Sequence, residues 1–162
     1  MLTPTQRAAL KVFVEADPTL NQIPHSYDGA FALAYALQAI AVPDFIVWRT
    51  SVTQDEIMQN GFDWMRVDNL SVGKARIWEW LFDNESAVFN PSKPNVRAGV
   101  DECWKGTTAD LAVRAAIYVH CKRPANLLEK LFATGDGSDA IPATMTVEGS
   151  ISYNEAYEAM GW

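Results

Sequence analysis

The stretch Thr107-Thr108-Ala109-Asp110-Leu111-Ala112-Val113-Arg114-Ala115-Ala116-Ile117-Tyr118-Val119-His120-Cys121 decides the fold class. A hydroxyl at Thr107 and a carboxylate three residues on can each satisfy a backbone N–H that the first helical turn leaves open. Behind that signal, Leu111, Ala115, Tyr118 and Val119 make an apolar stripe at helical spacing, and Val113 and Ile117 widen it. The spacing predicts a helix from Ala109 to Cys121. The same start signal opens Thr3-Pro4-Thr5-Gln6, Thr53-Gln54-Asp55-Glu56 and Ser152-Tyr153-Asn154-Glu155. The expected fold class is mainly α, a compact multi-helix domain with one or two short strands or extended arms.

Working outward, Pro4 sits at the favoured first helical position, and Asp17-Pro18 stops a run containing Leu10, Val12, Phe13 and Val14, which places a helix at 4–16. Tyr27 to Ala41 carries Phe31, Leu33, Tyr35, Leu37 and Ile40 almost all round a helix, so this segment is expected to be the most buried. Pro43 ends it. Thr53 starts a helix of about two turns closed by Asn60-Gly61, and Phe62, Trp64 and Val67 suggest one further turn. Ser71 to Phe82 is amphipathic, with Val72, Ala75, Ile77, Trp78, Leu81 and Phe82 opposite Lys74, Arg76 and Glu79. Pro94 starts a helix through Trp104, and Pro124 is read as opening another, Ala125 to Ala133, in a tight hairpin with the one before. Ser152 caps a last helix.

Two segments read as extended. Phe45-Ile46-Val47-Trp48 is a brief strand or an arm, and Ala143 to Gly149 alternates, with Thr144, Thr146 and Glu148 on one side and Met145 and Val147 on the other. Flexible loops are expected near 90–94, where two prolines fall in five residues, and at 134–142, which is turn chemistry at its start. The whole chain, 1–162, is expected to form a single helical domain, because this length buries about two thirds of the unfolded chain's surface without a metal or disulfide.

The charge balance limits the partners. Twenty acids against thirteen Lys and Arg give a net charge of −7, which repels a phosphate backbone, so no nucleic acid is expected. No membrane is expected either, since the longest apolar stretch, Gly29 to Pro43, is too short to cross a bilayer and contains Gln38. The N-terminus lacks the basic-then-apolar pattern of an export signal. Cys103 and Cys121 are read as reduced and buried.

Chemistry-bearing side chains are sparse. His25, Cys103, His120 and Cys121 are all the soft metal ligands present, and the adjacent pair at 120 and 121 points about 100° apart on a helix, unsuited to one tetrahedral ion. His120 is placed instead near a helix C-terminus, where it meets the dipole. Nothing in the spacing sets either Cys against an imidazole and an orienting third group. Asp136 and Asp139 lack the ligand spacing of a helix-loop-helix calcium site. No catalytic, cofactor-binding or metal residue is assigned, no cofactor or small-molecule substrate is expected, and the chain is not expected to be an enzyme.

What stands out instead is six Trp. Trp78 and Trp80 lie two apart on a helix and point about 200° from each other, so they cannot share one face. Either the helix is packed on two sides or one of them faces a partner. The candidate interface residues are Trp48, Trp78, Trp80, Met145, Val147 and Trp162.

Val47-Trp48-Arg49-Thr50, Asn95-Val96-Arg97-Ala98-Gly99, Cys121-Lys122-Arg123, Glu129 to Gly135 and Pro142 to Gly149 together resemble a family of small virion-associated proteins of tailed bacteriophages. The resemblance runs over most of the chain, rests on no catalytic motif and carries over no functional residue. It implies a structural role in the particle, at the neck or tail by analogy, synthesised in the host cytoplasm and located in the virion. The implied partners are other copies of the chain and other virion proteins. The competing expectations are an intracellular phage protein that binds a host factor through its acidic surface, and a head decoration protein.

Overall fold

The computed structural model describes residues 1–59, 61–83 and 87–162. Asn60, half of the expected Asn60-Gly61 helix stop, lies outside the described residues. Helices dominate: α1 (Pro4–Ala16), α2 (Tyr27–Ala36), α3 (Gln54–Ile57), α4 (Met65–Asp68), α5 (Val72–Leu81), α6 (Pro94–Cys103), α7 (Thr108–His120), α8 (Leu127–Phe132) and α9 (Tyr153–Met160). Short strands lie between them: β1 (Ile46–Trp48), β2 (Val52–Thr53), β3 (Val88–Phe89), β4 (Lys122–Pro124), β5 (Ala133–Thr134) and β6 (Thr144–Met145). The fold is mainly α with short strands in small sheets, the class expected from the start signals.

Every quoted start signal forms as a reciprocal cap. Thr3 with Gln6, Thr53 with Glu56, Thr107 with Asp110 and Ser152 with Glu155 each exchange side-chain and backbone hydrogen bonds. A fifth box was not anticipated. Asn126 accepts from the Glu129 N–H at 2.8 Å and Glu129 accepts from the Asn126 N–H at 3.0 Å, so α8 starts at Leu127. Pro124 does not open that helix but closes β4, which corrects the expected hairpin. Proline fits there because it fixes φ without continuing a helix.

The chain forms two compact units, Met1–Val47 with Pro124–Trp162, and Trp48–Arg123. In the first, Leu10 and Val14 of α1, Ala30, Leu33, Ala34 and Leu37 of α2 and its end, Leu128 of α8, and Ala156, Ala159 and Met160 of α9 share one buried cluster. A smaller cluster joins Val47, Ala125, Ala143 and Met145. Strands β5 and β6 pair antiparallel, Ala133 opposite Met145 and Thr134 opposite Thr144. The loop between them is fastened to β1: Ile46 N–H donates to Gly137 O at 2.7 Å, and Ala143 N–H to Ile46 O at 2.9 Å. A Cβ at Gly137 would stand 2.1 Å from the Phe45 ring, so only glycine lets the loop lie on that ring.

Glu129, 1% exposed, holds the first unit's other long connection. Its carboxylate accepts from the Gly149 N–H at 2.8 Å while capping α8, and Asn126 Nδ2 donates to Gly149 O at 2.8 Å. Backbone donors there take the place that water would fill around an exposed carboxylate.

The second unit closes on an aromatic box. Trp104 is fully buried, Trp78 meets its ring edge-on at 5.4 Å, and Phe62 stacks on Trp78 at 5.8 Å. Val100, Cys103, Val113, Ile117 and Cys121 fill the space around them. Strands β2 and β3 pair antiparallel, with Val52 opposite Phe89 and Thr53 opposite Val88. The proline-rich loop 90–94 is organised by Arg97, whose guanidinium donates to Pro91 O at 2.6 Å and Ser92 O at 2.9 Å.

The expected stripe on α7 is corrected. Val113 and Ile117 are the buried pair, in line with Cys121, while Leu111, Ala115 and Val119 face outward. In a helix apolar on most sides, periodicity offers two stripes, and the neighbours choose between them.

Candidate interaction surface

Helix α2 departs furthest from expectation, and the departure creates a site. Instead of being enclosed, it buries one side and presents Tyr27, Phe31 and Tyr35 to solvent, 56%, 54% and 79% exposed. These residues are four apart, so they form one ridge along the helix. The helix ends at Ala36 rather than near Ala41.

The local sequence explains the placement. Ser26 caps α2 by accepting the Gly29 N–H at 3.1 Å. A Cβ at Gly29 would lie 1.7 Å from the Pro24 carbonyl oxygen, so glycine allows the first turn to rest on the preceding chain. Ala30 and Ala34 of α2, with Ala156 and Ala159 of α9, are the small residues of the shared core. Small side chains let two helices approach closely, and the large rings at the margin are then pushed outward.

Those rings meet in pairs. Tyr27 stacks on Tyr157 with centroids 4.4 Å apart, and Phe31 on Tyr153 at 4.1 Å, both with planes 19° apart. Tyr27 and Tyr153 are tilted at 57° and 6.2 Å, linking the two stacks. Because ascending numbers on α2 meet descending numbers on α9, the helices run antiparallel. Among the described residues Tyr35 joins no such ring pair and is the most exposed of the set.

One edge of α9 is tied to the chain start. The Met1 ammonium lies 3.4 Å from Glu155 Oε1, the Leu2 N–H donates to the same oxygen at 3.1 Å, and Arg7 pairs with Glu158 at 2.7 Å. Burial pushes the Glu155 carboxyl up, but the hydrogen bonds from the Ser152 backbone, the terminal ammonium and the Leu2 backbone outweigh it and hold it below its ordinary value. Neither α2 nor α9 contains a basic residue.

The six residues singled out from sequence fare unequally. Trp78 is buried in the aromatic box and Met145 beside Val47, so neither presents a surface; both are withdrawn as interface residues for that reason. Trp48 is half-buried against Tyr118, ring edge to face at 5.5 Å, with the Arg97 guanidinium 4.7 Å above its ring. Val147 packs beside the first unit's core, and Trp162 stacks on His25 at 4.9 Å. Trp80 stands out at 65% exposure, so α5 is covered on the Trp78 side alone. The all-round apolar pattern of Tyr27 to Ala41 masks the α2 ridge in the sequence; the signal that identifies it is the four-residue spacing of Tyr27, Phe31 and Tyr35, repeated by Tyr153 and Tyr157.

The groups expected to be chemically quiet have the following surroundings. Burial pushes the Cys103 thiol up to about 11 and the Cys121 thiol up to about 12, and both are free. His120 closes α7, and its carbonyl accepts from Arg49 Nη1 at 3.0 Å while Arg49 Nη2 pairs with Glu56 at 2.6 Å. Hydrogen bonds from the Arg66 guanidinium, then from the Thr107 side chain and backbone, hold the Asp110 carboxyl down at about 2. Among the described residues, no helix is long and apolar enough to cross a membrane, and no group of three His, Cys, Asp or Glu is placed to hold a metal.

The fold and this surface define a mainly helical protein with an aromatic helix face open to solvent. No family model, no curated protein and no solved structure matches the chain.

Proposed function

We propose that the chain is a structural component of a tailed-bacteriophage particle, at the neck or tail, acting through protein-protein packing in an oligomeric assembly. One observation carries the reading: the paired aromatic surface of Tyr27, Phe31, Tyr35, Tyr153 and Tyr157 along α2 and α9. Tyr and Phe are the residues that interfaces favour, since each supplies a large contact area while ordering few torsions. At about 200 Å² per aromatic side chain, the exposed fractions of Tyr27, Phe31 and Tyr35 alone leave roughly 400 Å² uncovered. That matches the largest apolar patch of a typical soluble monomer, about 300–600 Å², which is often the functional one.

The resemblance of the segments around Trp48, Arg97, Arg123, Lys130 and Met145 to small phage virion proteins supplies the setting, and the surface supplies the means. Mass spectrometry of purified particles tests the proposal. A fixed copy number per particle, retained through a density gradient, supports it; abundance in the lysate with absence from particles overturns it in favour of the intracellular host-factor reading.

A further inference from the structure

Resting on the assembly reading above, we infer that the occupant of the α2 face is a second copy of this chain, docked through a self-complementary contact centred on Phe31 and Tyr35. Three properties of the surface select that partner over a different protein.

The first is charge. A molecule of net charge −7 repels its own copy over most of its surface. Helices α2 and α9 carry no basic residue, and their acids are few: Asp28 in the first turn of α2, Glu155 bound to the chain start, and Glu158 paired with Arg7. With Glu155 and Glu158 each paired to a cation, a like-charged copy meets little unbalanced charge on this face.

The second is shape. A two-fold contact sets one patch against itself, so the patch must carry both a projection and a recess. The ridge Tyr27-Phe31-Tyr35 projects, and one residue further round, on the side of α2 away from the aromatic stacks, Ala32 is exposed with a single methyl. Rows four residues apart on one helix fit between the corresponding rows of another, the commonest way in which helices pack.

The third is area. A standard interface covers about 800 Å² on each partner, of which about 60% is apolar. The roughly 400 Å² from three rings, extended by the outer edges of Tyr153 and Tyr157, reaches that apolar share and requires no second patch.

Sedimentation velocity of the full chain, from low micromolar to near-millimolar concentration, tests the inference. The expected result is a reversible monomer-dimer equilibrium whose Kd rises by about tenfold or more in Tyr35→Glu and is unchanged in Val119→Glu, another exposed apolar position, on α7. Circular dichroism confirms that each variant is folded, and Tyr35→Ser replaces Tyr35→Glu if the charged variant melts early. A chain that stays monomeric throughout overturns the inference, as does a dimer that Tyr35 variants leave intact or that Val119→Glu weakens equally. Particle composition fails independently: a monomer found in virions leaves the assembly role standing with another partner on this face, and a dimer absent from virions leaves the contact standing without that role.

Discussion

Phe31 of α2 and Tyr153 of α9 hold their rings 4.1 Å apart with planes 19° from parallel, although 121 intervening residues separate them in the chain. A stacked pair of this kind contributes about 0.5–1.5 kcal/mol beyond the area it buries. Because Phe31 keeps half its surface in water, the lower end applies. In a double-mutant cycle of Phe31→Ala and Tyr153→Ala followed by urea unfolding, the expected coupling is about 0.5 kcal/mol and favourable. Zero coupling, measured under conditions where the protein is monomeric, would show that the rings are neighbours without attraction.

Gly29→Ala should destabilise the protein although it lies inside a helix, where alanine is normally the better residue by about 1 kcal/mol. The new methyl would fall 1.7 Å from the Pro24 carbonyl oxygen, so the backbone before α2 has to move. A loss of about 1–3 kcal/mol is expected, the usual cost of forcing atoms into a packed site. The urea midpoint measures it, and an increase in stability would contradict the close approach.

The Arg66-Asp110 contact predicts the acid limb of the stability curve. Asp110 sits at about 2 in the fold, held there by Arg66 and Thr107, against about 3.9 in an unfolded chain. Its folded pKa is depressed, so its contribution is complete above about pH 4 and disappears as pH falls through about 2. Asp110→Asn should therefore lower the melting temperature at pH 7 and match the wild type near pH 2. A deficit that stays constant across that window would separate the substitution from the titration.

The two thiols predict the opposite limb. Cys103 and Cys121 are raised to about 11 and about 12, desolvation being the main cause in both. A folded pKa above the unfolded one gives stability that is full below about pH 9 and is lost as pH rises through the folded values. At pH 8 neither thiol should react with a thiol-specific chromogenic reagent in the native protein, and both should react once urea unfolds it. Rapid labelling of one thiol in native buffer would place that residue at the surface.

The capping signals were legible because each is completed within four residues. Thr3, Thr53, Thr107 and Ser152 mark the observed helix starts. The Asn126-to-Glu129 box follows the same grammar, but Pro124 two residues earlier presents a competing helix start. The alternation at 143–149 was also legible: Met145 is buried and Thr146 exposed, as period two requires, although only Thr144–Met145 pairs as a strand. Trp78 and Trp80 do point to opposite sides, but their spacing could not say which one would be covered.

What the sequence determined by itself is where helices begin, that the fold is mainly α, and which residues lie on a common helical face. The tertiary structure alone decided that α2 exposes Tyr27, Phe31 and Tyr35, that α7 buries Val113 and Ile117 rather than Leu111 and Val119, and that the chain forms two compact units. The division has a physical cause. A cap is a contact between near neighbours and is specified by their identities, whereas burial is a contact between segments far apart in the chain. On a helix apolar nearly all round, the hydrophobic effect rewards covering any side equally, and the elements packed against it, α9 foremost with α1 and α8, select which side of α2 is covered.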